Sequence, residues 1–276
     1  MLAVFLQYSF LRYALIIGLL VGFLAPVLGV FIVMRRQALI TDALSHITLT
    51  GIAFHLLMAQ SLTVLQPVNP VYMGMGFSVT GSLLLERLRH VYASYKELAV
   101  PIILSSGIGF GVVFLSLADE FGSDLFRYLF GSIIAVTSQD ALVVSLIAVI
   151  VILFIIFFYK ELFFLSFDEE QAKINGIPTK TINFLFTVIA ALVIASSIRI
   201  VGILLVSSLM ILPVAASVRL SKSFKQMFVY AFLFGELSVA VGLLTAFYFD
   251  VAPGGMIALT ALLILGIVIG LKKETH

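Results

Sequence analysis

Apolar runs, each broken by a short polar or turn-forming stretch, fill the chain from about residue 13 to residue 271. A helical run of about 17–25 apolar residues matches the hydrocarbon thickness of a bilayer. On that criterion the pattern predicts spans over Tyr13–Met34, Ala38–Ala59, Val71–Leu85, Leu98–Leu117, Ala141–Tyr159, Thr181–Ser197, Ile200–Ser217 and Met227–Phe249, with a last one ending at Lys272 and Lys273. The sixth and seventh lie so close at Ile198–Arg199 that they also read as one broken helix. Between the spans come the turn Gln66–Pro70, the polar stretch Glu86–Glu97 and an acidic loop with Asp119, Glu120 and Asp124. A short interfacial or re-entrant helix is expected over Phe126–Asp140, and the longest polar stretch is Lys160–Lys180. The first ten residues have no basic segment and no small-residue cleavage pattern, and read as a retained amphipathic lead-in.

Composition agrees with the pattern. Charged residues make up 11% of the chain and hydrophobic residues 62%, whereas a soluble domain carries about 25% charge. The expectation is an all-α polytopic membrane protein of eight or nine transmembrane helices, one domain over 1–276 with no soluble domain, linker or repeat. The thirteen Lys and Arg from Arg35 and Arg36 to Lys272 and Lys273 fall on one side of this nine-span topology, and only Arg12, Arg127 and Arg199 on the other. By the positive-inside rule the N-terminus is then outside and the C-terminus cytoplasmic. The net charge of +2 leaves no basic face for nucleic acid. Without cysteine, disulfides and thiolate metal sites are excluded, and four histidines remain as soft ligands apart from methionine. No GxxxxGK[ST] loop occurs, so nucleotide-driven work requires another polypeptide.

The chemistry concentrates in QALITDALSHITLTG, residues 37–51. Asp42 and His46 are four residues apart, roughly 40° around a helix, and project from one face. With Ser45 and Thr50 they trace a wet stripe on an apolar helix, as a helix lining a pathway would. An ionised Asp in lipid costs about 2.5–3.5 kcal/mol on insertion scales, so it should face a cavity or a partner. One carboxylate and one imidazole are half of a metal site, which two symmetric copies would complete as an N2O2 set suited to zinc, or with added water to manganese. The alternative is an Asp–His hydrogen bond that pins two helices together, or an early turn of helix whose Asp is simply wet. His55 falls on the opposite face; His90 and His276 read as surface residues. Glu236, mid-span, reads as a pathway ligand, proton carrier or counter-ion, or as a protonated glutamate that joins helices. Arg199 is expected to snorkel from an outer helix end in a structural role. Phe167–Pro178 reads as a short cytoplasmic helix capped by Asp168, ended by Gly176 and followed by Pro178, serving as a docking knob or a solvated connector.

Five stretches then resemble one family in order and register: MRRQALITDALSHITLTGIAF (Met34–Phe54), LFGSIIAVTSQDAL (Leu129–Leu142), FDEEQAKINGIP (Phe167–Pro178), VGILLVSSLMILPVAAS (Val201–Ser217) and FDVAPGGMIAL (Phe249–Leu259). They resemble the membrane permeases of zinc/manganese/iron ABC importers, and the likeness runs over essentially the whole chain. The resemblance implies a type II importer fold in a bacterial cell membrane. It also implies a homodimer over two cytoplasmic ATP-binding subunits, which bind the ATP, fed by an extracellular metal-binding protein. Asp42 and His46 match the family's metal-coordinating pair. Phe167, Asp168, Glu169, Gly176 and Pro178 lie in the segment that matches the helix docking on the ATPase, within a coupling segment of about 160–180. Asn175 departs from the apolar or small residue of many relatives. TDALSH and LMILPVAAS resemble the zinc-type permeases more than the manganese-type, which implies Zn2+ as cargo, with Mn2+ or iron as the alternative. No cofactor of the chain itself is implied, and no enzyme activity.

Other classes fit less well. An intramembrane metalloprotease would need HExxH, which is absent. An ion-coupled secondary transporter would use Glu236 but predicts inverted repeats, and none is evident.

Overall fold

Helices form where the apolar runs lie and stop where capping chemistry interrupts them. The computed structural model describes residues 8–118 and 123–271, with the side chains of 123–125 left aside. Over these residues the chain is all-α: α1 (Ser9–Met34), α2 (Leu39–Ser61), α3 (Pro70–Val91), α4 (Ala99–Leu117), α5 (Ser123–Phe130), α6 (Ser138–Phe157), α7 (Tyr159–Phe167), α8 (Glu169–Ile174), α9 (Thr179–Val201), α10 (Ile203–Leu220), α11 (Phe224–Phe249) and α12 (Pro253–Leu271). Single 3-10 turns cover Thr63–Leu65 and Lys96–Leu98. Nine of the described helices have at least 18 residues. Eight spans are long and apolar enough to cross a membrane, and α3, which carries Glu86, Arg87 and Arg89 in its last turns, is the long helix left out. The lead-in (residues 1–7), Asp119, Glu120, Lys272, Lys273 and His276 lie outside the described residues.

Local signals set the boundaries. Asn69 accepts from the Val71 N–H at 3.1 Å and Pro70 opens α3, as expected of a proline at the first helical position. Thr137 and Asp140 form a reciprocal capping box at the start of α6. The expected interfacial helix is therefore shorter than Phe126–Asp140. Only Ser123–Phe130 is helical before the irregular segment 131–137, and Ser138–Asp140 already belong to α6. The break near Ile198–Arg199 falls at Gly202 (φ 81°, ψ 156°), a conformation essentially confined to glycine. There α9 and α10 meet and then diverge, α9 packing mainly on α3 and α10 mainly on α11, α12 and α1. Helix α7 lies within the polar stretch Lys160–Lys180, where Lys160 and Glu161 give its first turn the composition of a loop.

Two Schellman motifs end helices at the same end of the bundle. In α8 the Gly176 N–H bonds to the Lys173 carbonyl and the Ile177 N–H to Ala172, with Gly176 at φ 78°. In α1 the Arg36 N–H bonds to Val33 and the Gln37 N–H to Ile32, but the left-handed position is held by Arg36 at φ 55°. A side chain there costs about 1–2 kcal/mol relative to glycine.

Lipid offers no hydrophobic drive for helix association, so close packing has to supply it. Glycines do this around α2. Gly74 and Gly81 of α3 lie against Thr48 and Ile47, and Gly107 and Gly111 of α4 lie against Ile47, His46 and Thr50. At one end of the bundle, Arg35, the C-terminal end of α3, α8 and the start of α9 come together. At the other end, Gly131, Gly202 and Gly254 let three backbone segments cross: a Cβ on Gly131 would strike the Ile200 carbonyl, one on Gly202 the Leu129 carbonyl, and one on Gly254 the Val201 carbonyl. The Ser132 N–H also donates to the Arg199 carbonyl at 2.9 Å.

Candidate functional site

Helix α2 begins at Leu39 after Ala38, which offers no side-chain cap, and Asp42 supplies negative charge in its first turn. Asp42 and His46 are half-buried. Among the described residues neither side chain has a hydrogen bond or an ion pair to another helix, so they do not pin helices together. Their free donor atoms form a one-carboxylate, one-imidazole pair. No three His, Asp or Glu side chains converge among the described residues.

The other residues of the stripe are buried. The Ser45 hydroxyl donates to the Thr41 carbonyl at 2.8 Å. The Thr50 hydroxyl lies 2.7 Å from the Gly107 carbonyl of α4 and 3.0 Å from the His46 carbonyl. Thr50 thus ties α2 to α4 one turn beyond His46, at the point where the missing side chain of Gly107 lets the helices touch. His55 is buried on the opposite face.

Glu236 is not brought to this pair. It sits half-buried on α11, its carboxyl group facing Gly22 of α1. Helix α11 packs on α1, α10 and α12.

Arg199 does not snorkel. Its Nη1 is 3.3 Å from Asp140 Oδ2 and donates to the Ala135 carbonyl at 2.7 Å, and its Nη2 donates to Asn69 Oδ1 at 2.7 Å. The Asn69 amide in turn donates to Asp140 Oδ1 at 3.0 Å. This network joins the starts of α3 and α6 to the end of α9. The sequence signal that could have found it is the Thr137-x-x-Asp140 capping box, which puts a carboxylate at the same bundle end as Arg199.

The short helix α8 lies where the sequence placed it. Asp168 accepts from the Glu170 and Gln171 N–H groups, both at 2.9 Å, and Glu169 pairs with Lys173 at 3.3 Å. Its Ala172 is buried while Ile174 is 84% exposed. A chain of ring contacts leads inward from it: Phe167 to Phe224 (5.5 Å), Phe224 to Phe228 (5.0 Å) and Phe228 to Phe31 of α1 (5.1 Å).

The chain is 37% identical over 268 residues, 97% of each sequence, to a Treponema pallidum protein named "Probable metal transport system membrane protein". It is 32% identical to the manganese transport system membrane protein MntC of Listeria monocytogenes, over 94% of this chain and 89% of the relative. It is 30% identical to the high-affinity zinc uptake system membrane protein ZnuB of Haemophilus influenzae, over 87% and 89%. Among solved structures, PsaBC from Streptococcus pneumoniae in complex with Fab superposes with a TM-score of 0.82 at 29% identity, covering 98% of this chain and 95% of that one. The model of the ABC 3 transport family matches residues 7–271. The chain, a membrane permease by fold and not an enzyme, belongs to the ABC 3 transport family.

Proposed function

We propose that the chain is the permease subunit of an ATP-driven importer of divalent transition metal ions, and that Asp42 and His46 hold the ion in transit. The observation that carries this reading is a carboxylate and an imidazole one helical turn apart, half-buried, on a helix fixed by close glycine contacts. Two copies related by a twofold axis would offer two oxygens and two nitrogens, enough for a tetrahedral ion. Separation of the copies would leave each with two donors, too few to retain it, and that separation is the release step. Ser45 and Thr50 lie on the same stripe, and the Thr50 hydroxyl ties α2 to α4. Glu236 acts apart from this pair, as a second ionisable group within the membrane.

The end of the bundle that carries Arg35 and α8 is assigned to the cytoplasm on charge asymmetry, with the N-terminus outside and the C-terminus inside. There Phe167, Asp168, Glu169, Gly176 and Pro178 shape the coupling segment that docks on the ATP-binding subunits, and Ile174 is its exposed contact. An extracellular binding protein delivers the metal at the opposite end.

The donor set favours zinc. Manganese is the second reading, favoured by the manganese names of the Listeria relatives. ATP-driven uptake of radioactive zinc and manganese into proteoliposomes holding the complete complex tests both. Uptake of one ion that is lost in Asp42→Asn and in His46→Ala, with the complex still assembled, is expected. Wild-type uptake by either variant would remove the site, and uptake that needs a proton gradient in place of ATP would remove the importer.

A further inference from the structure

At the bundle end that carries Arg35, a cavity of about 670 Å3 opens between the α1–α2 junction, the end of α3, α8 and the start of α9. Six lysines and arginines line it against three glutamates. Two of those glutamates are already engaged, Glu86 with Arg89 at 3.9 Å and Glu169 with Lys173 at 3.3 Å. Arg35, Arg36, Lys96 and Lys180 have no ion-pair partner among the described residues.

Arg35 is the innermost of these cations. Its Nη1 donates to Asn183 Oδ1 at 3.0 Å and its guanidinium lies 4.7 Å from the ring centre of Phe186, but Nε and Nη2 are buried with no hydrogen-bond partner. Burial lowers its pKa to about 10, with Arg89 adding to the shift and Glu169 opposing it, so it remains a cation at neutral pH. Buried N–H donors left unpaired are costly. Arg36 occupies a left-handed position that its counterpart motif in α8 gives to glycine, so a strained backbone is retained at a residue that lines the cavity. The start of α2, with no side-chain cap, opens on the same space through Ala38 and Leu39, and a helix N-terminus favours an anion. Against these stands Glu86 Oε2, also buried without a hydrogen-bond partner, but the lining keeps twice as many cations as carboxylates.

We propose that this cavity binds a phosphate group, presented by an anionic phospholipid headgroup or by a soluble phosphate. A planar guanidinium and neighbouring ammonium groups suit phosphate oxygens. The rim indicates the depth: Tyr92, Tyr95 and Leu98 are all exposed beside Lys96, the mixture of aromatic and basic residues found at headgroup level. The lipid is thus the favoured source. The inference does not depend on the metal pair, and a wild-type phenotype of Asp42→Asn would leave it intact.

The test uses the full-length permease in detergent. Native mass spectrometry and thermal shift follow titration with short-chain phosphatidylglycerol, short-chain phosphatidylcholine and inorganic phosphate. Phosphatidylglycerol should bind at least tenfold more tightly than phosphatidylcholine, which neutralises its own phosphate. Arg36→Gly should raise the melting temperature of the unliganded protein by relieving the backbone while weakening phosphatidylglycerol binding at least tenfold. Lys180→Gln, at an exposed position, should weaken it in the same direction, and Arg36→Lys should retain most of it. Saturation by inorganic phosphate that displaces phosphatidylglycerol would support the site and make the soluble ion its source. Equal binding of the two lipids, unchanged affinity in both Arg36→Gly and Lys180→Gln, or no binding of any of the three probes would overturn the proposal. So would exclusion of both anions from the assembled complex with its ATP-binding subunits, since the cavity would then accept an acidic protein surface.

Discussion

Removing one partner of the Arg199–Asp140 pair leaves the other charge enclosed with nothing to neutralise it. Their side chains are 15% and 8% exposed, so water can do little to compensate. Breaking a buried pair costs about 3–5 kcal/mol, whereas replacing both partners by apolar residues is often nearly neutral. Asp140→Ala should therefore lower the melting temperature of the detergent-solubilised protein strongly, and Asp140→Ala with Arg199→Met should recover part of the loss. Additive losses in the double variant would show that the two charges are not coupled. Asn69, which donates to Asp140 and accepts from Arg199, should rank below both because it is neutral. At this scale the sequence was only partly legible. Asp42 and His46 stood out because four-residue spacing on an apolar helix is a local signal. The Arg199 network joins residues up to 130 positions apart, which no local pattern reports.

Helix α2 packs backbone to backbone against α3. A Cβ on Gly51 would come within 2.7 Å of the Met73 carbonyl oxygen and 2.8 Å of Gly74 Cα, both backbone atoms that cannot rotate aside. Gly51→Ala should then force α2 and α3 apart, and overpacking of this kind costs about 1–3 kcal/mol. Gly109→Ala meets nothing within 4 Å and should leave the melting temperature unchanged, which makes it the matched control. Equal stability of the two variants would mean that the α2–α3 contact is not tight. The helix boundaries themselves were mostly readable, since Asn69, Asp168 and Gly176 cap helices through side chains and backbone conformations that the sequence announces. The errors came where a polar pattern stayed helical, as in the continuation of α3 through Glu86–Arg89 and in α7, because surface helix and loop share the same composition at a membrane boundary.

Across the whole molecule, α8 is joined to the interior by phenylalanines that run from Phe167 through Phe224 to Phe31. Ile174 stands outside that chain, 84% exposed. Ile174→Asp should leave the thermal stability of the isolated permease unchanged while reducing the amount of ATP-binding subunit that co-purifies with it. Normal co-purification would detach α8 from the docking role. The two ends of the bundle differ in construction. At one, aromatic rings pack through side chains that can slide; at the other, the glycine crossing at residues 131, 202 and 254 locks backbone to backbone. That knot makes a natural pivot. Helix α9 has 23 residues and at 1.5 Å per residue is a lever arm of about 34 Å, so a turn of only about 5° at the pivot swings its far tip by about 3 Å.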